Sequence, residues 1–271
     1  MTFGIEMMMN QKTICTACGT TFPEESTLPD VCPICEDDRQ YVPNAVQTWT
    51  SASDLARDHR VEIRELNEGL YELKLSPEFA IGQRAFLVAA PDGNILWDCI
   101  PLLDDAAIEF VRSKGGIRAI ALSHPHFYSN MNDWAKEFDC PIYIHESDEQ
   151  WIFHKSERVE LWSGSEKTLW DGVKIHNIGG HFAGSSILHI PFLSPEGTIL
   201  CGDTFVVSPS KTHLAVMHSY PNKIPLPICE IERVKMGMEP IIFDTLHAWH
   251  PTQSIEMGAK RILENSLSRY I

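Results

Sequence analysis

Three histidines and one aspartate, each close behind an apolar stretch, are the residues of this sequence best suited to hold a metal ion. His124 and His126 follow the apolar residues 117–122, and on an extended segment two residues spaced this way face the same side. His181 follows a second apolar stretch behind two glycines, and Asp203 follows a third. Imidazole and carboxylate ligands suit a metal of borderline softness. The pattern predicts one metal site assembled from three segments of the chain.

Four cysteines near the N-terminus form two CxxC pairs, Cys15 with Cys18 and Cys32 with Cys35. Each CxxC turn presents two sulfur atoms to one point, so the two turns together predict a tetrahedral thiolate site for zinc. We expect this zinc to be structural, because about 30 residues cannot build a stable core without a staple. Two redox-active pairs or free thiols are the alternative interpretation. The segment resembles a zinc ribbon, and its second half also resembles rubredoxin.

The chain divides into a small N-terminal knuckle, residues 1–45, and a larger domain, residues 46–271. In the larger domain strand and helix signals alternate. Residues 86–98 read as a hairpin around an Asp-Gly turn, and residues 252–268 as a terminal helix. Two strand-rich halves, each with helices, predict two sheets packed face to face with helices outside, an αββα sandwich.

The order His-x-His, Gly-Gly-His and Gly-Asp-Thr resembles the metallo-β-lactamase superfamily over about residues 60–271. The resemblance implies the αββα fold, with metal in a cleft at the edges of the sheets. It matches His124, His126 and His181 to the first metal site and Asp203 to a carboxylate that bridges two metals. It also implies one later histidine, for which His250 fits the spacing better than its neighbour, His247.

The first motif departs from the family pattern at the two positions that normally build a second metal site. Tyr128 stands where the family has aspartate, and Ser129 where it has histidine. Neither a phenol nor a hydroxyl is a good ligand for a divalent ion. We therefore expect a mononuclear site.

The expected function is hydrolysis of an ester-like or thioester-like small molecule by water that a zinc ion activates. Asp203 would complete the ligand shell or orient the water, and Tyr128 could donate a hydrogen bond to the developing oxyanion. The other interpretation is that Tyr128 is a packing residue that fills the position of the missing second metal site. An iron site of His124, His181 and Asp203, as in the persulfide dioxygenases of the same superfamily, is an alternative. A non-catalytic metal-binding or interaction protein is another.

The charge of the chain restricts its partners. A formal net charge of −15 without any basic run disfavours nucleic acids and anionic membranes. No signal peptide is evident, and no stretch approaches the roughly 20 apolar residues of a membrane span. We expect a cytoplasmic protein with a small-molecule substrate, and the sequence does not indicate an oligomeric state.

Overall fold

The N-terminal knuckle is a small antiparallel sheet with two helical turns. The computed structural model of the protein describes residues 12–24 and 27–271. The sheet has the strand order β2-β1-β3, with β1 (Thr13–Cys15), β2 (Thr21–Phe22) and β3 (Trp49–Ser51). A helix, Pro33–Glu36, carries the second cysteine pair, and a 3-10 turn, Pro43–Ala45, follows it. Because β3 lies beyond residue 45, the sheet runs across the domain boundary that the sequence predicts, and that boundary stays a prediction.

The first large sheet has seven strands in the order β10-β9-β8-β7-β6-β5-β4. These are β4 (Arg60–Asn67), β5 (Leu70–Ser76), β6 (Arg84–Val88), β7 (Ile95–Trp97), β8 (Ala119–Ala121), β9 (Ile142–His145) and β10 (Val159–Trp162). Strands β6 and β7 pair antiparallel, with Phe86 opposite Trp97, which confirms the hairpin. Strands β7, β8, β9 and β10 pair in parallel, so their carboxyl ends lie at the same edge of the sheet.

The second large sheet has six strands in the order β11-β12-β13-β14-β19-β20. Two short hairpins, β15-β16 and β17-β18, lie between β14 and β19 in the chain. The strands of this half are β11 (Glu166–Thr168), β12 (Lys174–Asn177), β13 (Ser186–Ile190), β14 (Thr198–Leu200), β15 (Val206–Val207), β16 (Leu214–Ala215), β17 (Met217–Ser219), β18 (Ile224–Pro225), β19 (Thr245–His247) and β20 (Ser254–Ile255). Strand β20 occupies part of the range in which the sequence predicts helix.

Helices cover the outer face of each sheet. The main ones are Ala52–Asp58, Asp105–Ser113, Met131–Phe138, Ile228–Met238 and Ala259–Leu267, with 3-10 turns at Pro125–Phe127 and Glu146–Trp151. The last helix begins at Ala259 instead of the expected residue 252, because Gly258 at its start has a φ of 73° and the preceding residues pair with β19. No helix of the described residues is long and apolar enough to cross a membrane.

Three of the four hydrophobic cores of the described residues follow from the alternation of side chains along the strands, and the fourth surrounds the cysteines of the knuckle. In β6, Phe86 and Val88 face the second sheet, where they pack with residues such as Leu188, while Leu87 faces the opposite way. The outward core of the first sheet contains the buried Trp134 of the helix Met131–Phe138. The outward core of the second sheet contains residues of the helices Ile228–Met238 and Ala259–Leu267. The molecule therefore has the αββα layers that the sequence predicts.

Candidate metal centre

One edge of the sandwich brings together the four residues that the sequence singles out. His124, His126, His181 and Asp203 are all buried, and one nitrogen or oxygen atom from each lies within 4.8 Å of the others. The Nε2 atom of His124 lies 3.4 Å from Oδ2 of Asp203, and Nδ1 of His126 lies 3.5 Å from the same oxygen. The Nε2 atom of His181 lies 3.4 Å from Nδ1 of His126. Ligands about 2.0–2.1 Å from a tetrahedral zinc ion are separated by similar distances.

The hydrogen bonds around the cluster hold the rings and leave ligand atoms without partners. The Nδ1 atom of His124 lies 2.9 Å from the Ser123 hydroxyl, and Nδ1 of His181 lies 3.3 Å from the carbonyl oxygen of Met217. Nε2 of His124 and Oδ1 of Asp203 are buried and have no hydrogen-bond partner among the described residues. Buried polar atoms without partners are costly in a folded protein, and a bound metal removes that cost. The residues present therefore fit a metal ion.

Burial sets the protonation of the cluster. It lowers the pKa of His124 to about 4 and that of His181 well below its ordinary value. Burial by itself would raise the pKa of Asp203, but electrostatic attraction to His124 and the hydrogen bond with Nδ1 of His126 lower it overall. At neutral pH His124 and His181 are therefore neutral imidazoles beside the Asp203 carboxylate, which are the protonation states that bind a metal.

The local fold explains why these segments meet. The 3-10 turn Pro125–Phe127 follows β8 and carries His126, and the loops after β12 and β14 carry His181 and Asp203. The backbone N–H of Ser186 donates a 2.9 Å hydrogen bond to the carbonyl oxygen of Ser123, which joins the two sheets at this edge.

Two residues beneath the cluster fix the backbone that precedes His124. The backbone N–H of Ser123 donates a 2.7 Å hydrogen bond to Oδ1 of the buried Asp98. Gly202 has a φ of 50°, and a Cβ atom there would lie 2.4 Å from Oγ of Ser123. The close approach of the two segments therefore requires glycine at this position.

A cavity of about 430 Å³ opens above the cluster. Its walls include His126, His181 and Asp203, and they come from both the large domain and the knuckle. The other lining residues are Thr16, Ala17, Arg39, Gln40, Tyr41, Pro43, Ala80, Ile81, Val206, Tyr220, Pro221, Lys223 and Trp249. The knuckle residues among them carry no motif that would have predicted this position.

Two predicted site residues lie outside the cluster. Tyr128 is buried in the core of the first sheet and does not line the cavity, so the structure does not support a role as oxyanion donor. Burial raises the pKa of its phenol well above the ordinary value. His250 is half-buried outside the cluster, with Nδ1 2.9 Å from the Thr252 hydroxyl and Nε2 3.4 Å from Glu78. Its ring is not part of the cluster.

Ser129 and His247, the other two residues considered for a second metal site, also lie outside the cluster. The hydroxyl of Ser129 donates a 3.0 Å hydrogen bond to the carbonyl oxygen of Gly19 in the knuckle. His247 is buried between the sheets, with Nδ1 2.8 Å from the Ser254 hydroxyl. Neither belongs to a metal-ligand cluster of the described residues, which contain two such clusters, the present one and the four cysteines.

The four cysteines of the knuckle form the second cluster. All four are buried and none forms a disulfide. The sulfur atoms of Cys15 and Cys35 lie 3.7 Å apart, as do those of Cys18 and Cys32. A tetrahedron of sulfur atoms about 2.3 Å from a zinc ion has edges of nearly this length. The side-chain amide of Gln47 donates a 3.3 Å hydrogen bond to Sγ of Cys15, as expected of a residue that supports a thiolate.

Comparisons with known proteins agree with this architecture. The chain is 38% identical over 261 residues to the "Uncharacterized protein YmaE" of Bacillus subtilis (strain 168), and the match covers 95% of each chain. No family model matches.

Solved metallo-β-lactamase structures share the fold at low sequence identity. TMB-1 aligns with a TM-score of 0.59 at 12% identity over 77% of this chain and 97% of its own. The metallo-β-lactamase from Hirschia baltica aligns with a TM-score of 0.52 at 14% identity over 78% of this chain and 97% of its own.

Proposed function

Because the chain belongs to the family of the Bacillus subtilis protein YmaE and has the metallo-β-lactamase fold, we propose that it is a hydrolase with a single metal ion in the cleft. One observation carries the proposal. Three histidines and an aspartate each bring one nitrogen or oxygen atom within 4.8 Å of the others, at the floor of a cavity large enough for a small molecule. Zinc is the metal that we propose for both this site and the cysteine cluster.

The proposal of a single metal rests on what replaces the second site. The side chain of Tyr128 lies in the core, and the hydroxyl of Ser129 is committed to the carbonyl oxygen of Gly19. His250 contacts Glu78 and Thr252. None of these side chains is free to complete a second ligand set.

The substrate that we propose is an ester or thioester of a small molecule. When bound, the metal would polarise the carbonyl and lower the pKa of a water molecule to near neutrality. The chain's own residues supply the rest. The Ser123 hydroxyl and the Met217 carbonyl hold the rings of His124 and His181, and the carboxylate of Asp203 offsets positive charge.

The walls of the cavity fit a partly apolar substrate. Ile81, Tyr220 and Trp249 provide apolar surface, and Arg39 and Lys223 are the cationic residues among its lining residues. Below them, the buried ring of Phe182 packs against all three histidine rings with centroid distances of 5.0–5.6 Å. An apolar ring at the base of the site lowers the local dielectric constant, which strengthens the electrostatic interactions there.

A mononuclear iron enzyme is the second candidate. His124, His181 and Asp203 form a set of two histidines and one carboxylate, with Nε2 of each ring 3.4 Å and 3.8 Å from Oδ2 of Asp203. Such a set with open positions suits non-haem iron. Oxygen consumption with a persulfide substrate, together with iron in the cleft, would favour this candidate over the hydrolase.

The test is hydrolysis of a panel of aryl esters and acyl thioesters by the zinc-loaded protein. His181→Ala removes a proposed ligand, and we expect it to abolish turnover. His250→Ala is the matched control, because it removes an imidazole that contacts Glu78 outside the cluster. We expect the control to retain the rate of the wild type. Turnover that survives His181→Ala, or that His250→Ala abolishes, would contradict the proposed site.

A further inference from the structure

The knuckle is fastened to the domain on both sides of the cleft. On one side, the Ser129 hydroxyl donates to the carbonyl oxygen of Gly19 over 3.0 Å. On the other side, the side-chain amide of Asn222 donates to the carbonyl oxygens of Asp38 and Gln40 over 2.9 Å and 3.0 Å. The knuckle thus bridges the cleft and contributes part of the cavity wall.

Arg39 of the knuckle contacts both the backbone of His181 and the ring of Phe182. Its Nε–H donates a 2.5 Å hydrogen bond to the backbone carbonyl oxygen of His181. Its guanidinium lies over the ring of Phe182, 4.3 Å from the ring centroid, and that ring packs against the histidines. A cation over an aromatic face and a charge-assisted hydrogen bond are both attractive. Together they fix the backbone at His181 and the ring beneath the cluster.

An ion pair connects Arg39 to the segment that carries the second cysteine pair. Its NH1 group donates to both carboxylate oxygens of Asp37 over 2.8 Å and 3.0 Å. Asp37 directly follows the helix Pro33–Glu36, which carries Cys35. A short helix of this kind has little stability of its own, so its position depends on the bonds that its cysteine makes.

We propose that Arg39 is a positioning residue for the metal site of the cleft and that it couples that site to the cysteine cluster. Metal bound by the cysteines holds the helix Pro33–Glu36, the helix holds Asp37, and Asp37 directs Arg39 to His181. Coupling of this kind is reciprocal, so metal in either site raises the affinity of the other. The inference rests on the proposed metal site in the cleft.

The test is titration of the metal-free full-length protein with Co²⁺ alone. The sulfur-to-cobalt charge-transfer band reports the cysteine site, and the weaker d–d bands of nitrogen and oxygen ligands report the cleft. We expect Arg39→Ala to weaken Co²⁺ binding in the cleft by roughly 10- to 100-fold, the usual cost of losing a residue that supports a ligand. The charge-transfer band should keep its intensity, which shows that the knuckle remains folded.

The controls separate position from charge. Arg57→Ala removes an exposed arginine that pairs with Asp54 and Asp58, and it should leave Co²⁺ affinity unchanged. Arg39→Lys keeps the charge but lacks the planar guanidinium fork that contacts Asp37 through one nitrogen and His181 through another, so it should bind Co²⁺ in the cleft more weakly than the wild type. Asp37→Asn removes the ion pair with Arg39 with little change in side-chain volume, and it should also weaken Co²⁺ binding in the cleft.

The outcomes are distinguishable. A wild-type cleft that binds no Co²⁺ would overturn the proposed function together with this inference. Equal cleft affinity in the wild type, Arg39→Ala and Asp37→Asn would overturn the inference alone. Wild-type affinity in Arg39→Lys would also overturn it, because positive charge without the guanidinium geometry would then be sufficient.

Discussion

Replacement of Gly202 by alanine tests how closely the segment before Asp203 packs against the one before His124. Gly202 has a φ of 50°, and an added Cβ would lie 2.4 Å from Oγ and 2.8 Å from Cβ of Ser123. Alanine in the left-handed region costs about 1–2 kcal/mol. Overpacking against Ser123 costs about 1–3 kcal/mol more. We therefore expect Gly202→Ala to lower the free energy of unfolding by roughly 2–5 kcal/mol.

A matched control isolates the contact from the backbone strain. Gly116 has a φ of 81°, and an added Cβ would meet no atom within 4 Å. Gly116→Ala should therefore show only the cost of the left-handed conformation, about 1–2 kcal/mol.

Urea denaturation of the two variants at equal metal loading gives the difference. Because displacement of Ser123 also disturbs the ring of His124, Gly202→Ala should bind zinc in the cleft roughly 10- to 100-fold more weakly. Equal stability of the two variants, with the zinc affinity of the wild type in both, would refute the packing that we describe.

Three further predictions concern residues around the site. Burial raises the pKa of Asp148 to about 7, above its ordinary 3.8, so stability should fall as pH rises from about 4 through 7, by on the order of 4 kcal/mol. Asp148→Asn keeps an oxygen that accepts the hydrogen bond from the Gly184 N–H, so it should flatten this decline of stability in urea denaturation between pH 5 and pH 8. An unchanged dependence of stability on pH would contradict the raised pKa of Asp148. Glu72 and Arg84 form a fully buried ion pair with a 2.5 Å contact, so Glu72→Ala should lower the free energy of unfolding by about 3–5 kcal/mol. The double variant Glu72→Gln/Arg84→Met should recover part of this loss, whereas a loss below about 1 kcal/mol in Glu72→Ala would show that the pair is not buried. Tyr128→Phe should leave kcat/KM for any ester that the protein hydrolyses within about twofold, and a larger loss would restore the phenol as a catalytic group.

The fold was predictable because its layers follow from apolar periodicity. Alternation in β6 places Phe86 and Leu87 on opposite faces, and the Asp-Gly turn after this strand marks the hairpin. The helix Ile228–Met238 was not predicted from the sequence, because this helix follows a proline-rich loop and has no capping side chain that would indicate its start. The start of the last helix was misplaced, because the polar spacing of residues 252–257 is compatible with a helix. In the structure, β20 pairs with β19 in this range, and the helix begins only after Gly258.

The cluster was also predictable, because each of its four residues stands in a short motif at the end of a strand. Arg39 was not, because its contact with His181 joins residues that are 142 positions apart and no local pattern records it. Tyr128 and His250 were assigned roles from their distance along the chain to the motif residues. The direction of each side chain depends on how the 3-10 turn and the loop after β19 pack, which sequence spacing does not report.

Metal content of the protein purified without added metal tests the central claim most directly. The wild type should contain two metal ions per chain, His124→Ala/His181→Ala should lose one, and Cys15→Ser/Cys32→Ser should lose at least the other. Metal confined to the cysteine site, with a cleft that stays empty after zinc or iron is supplied, would contradict the account.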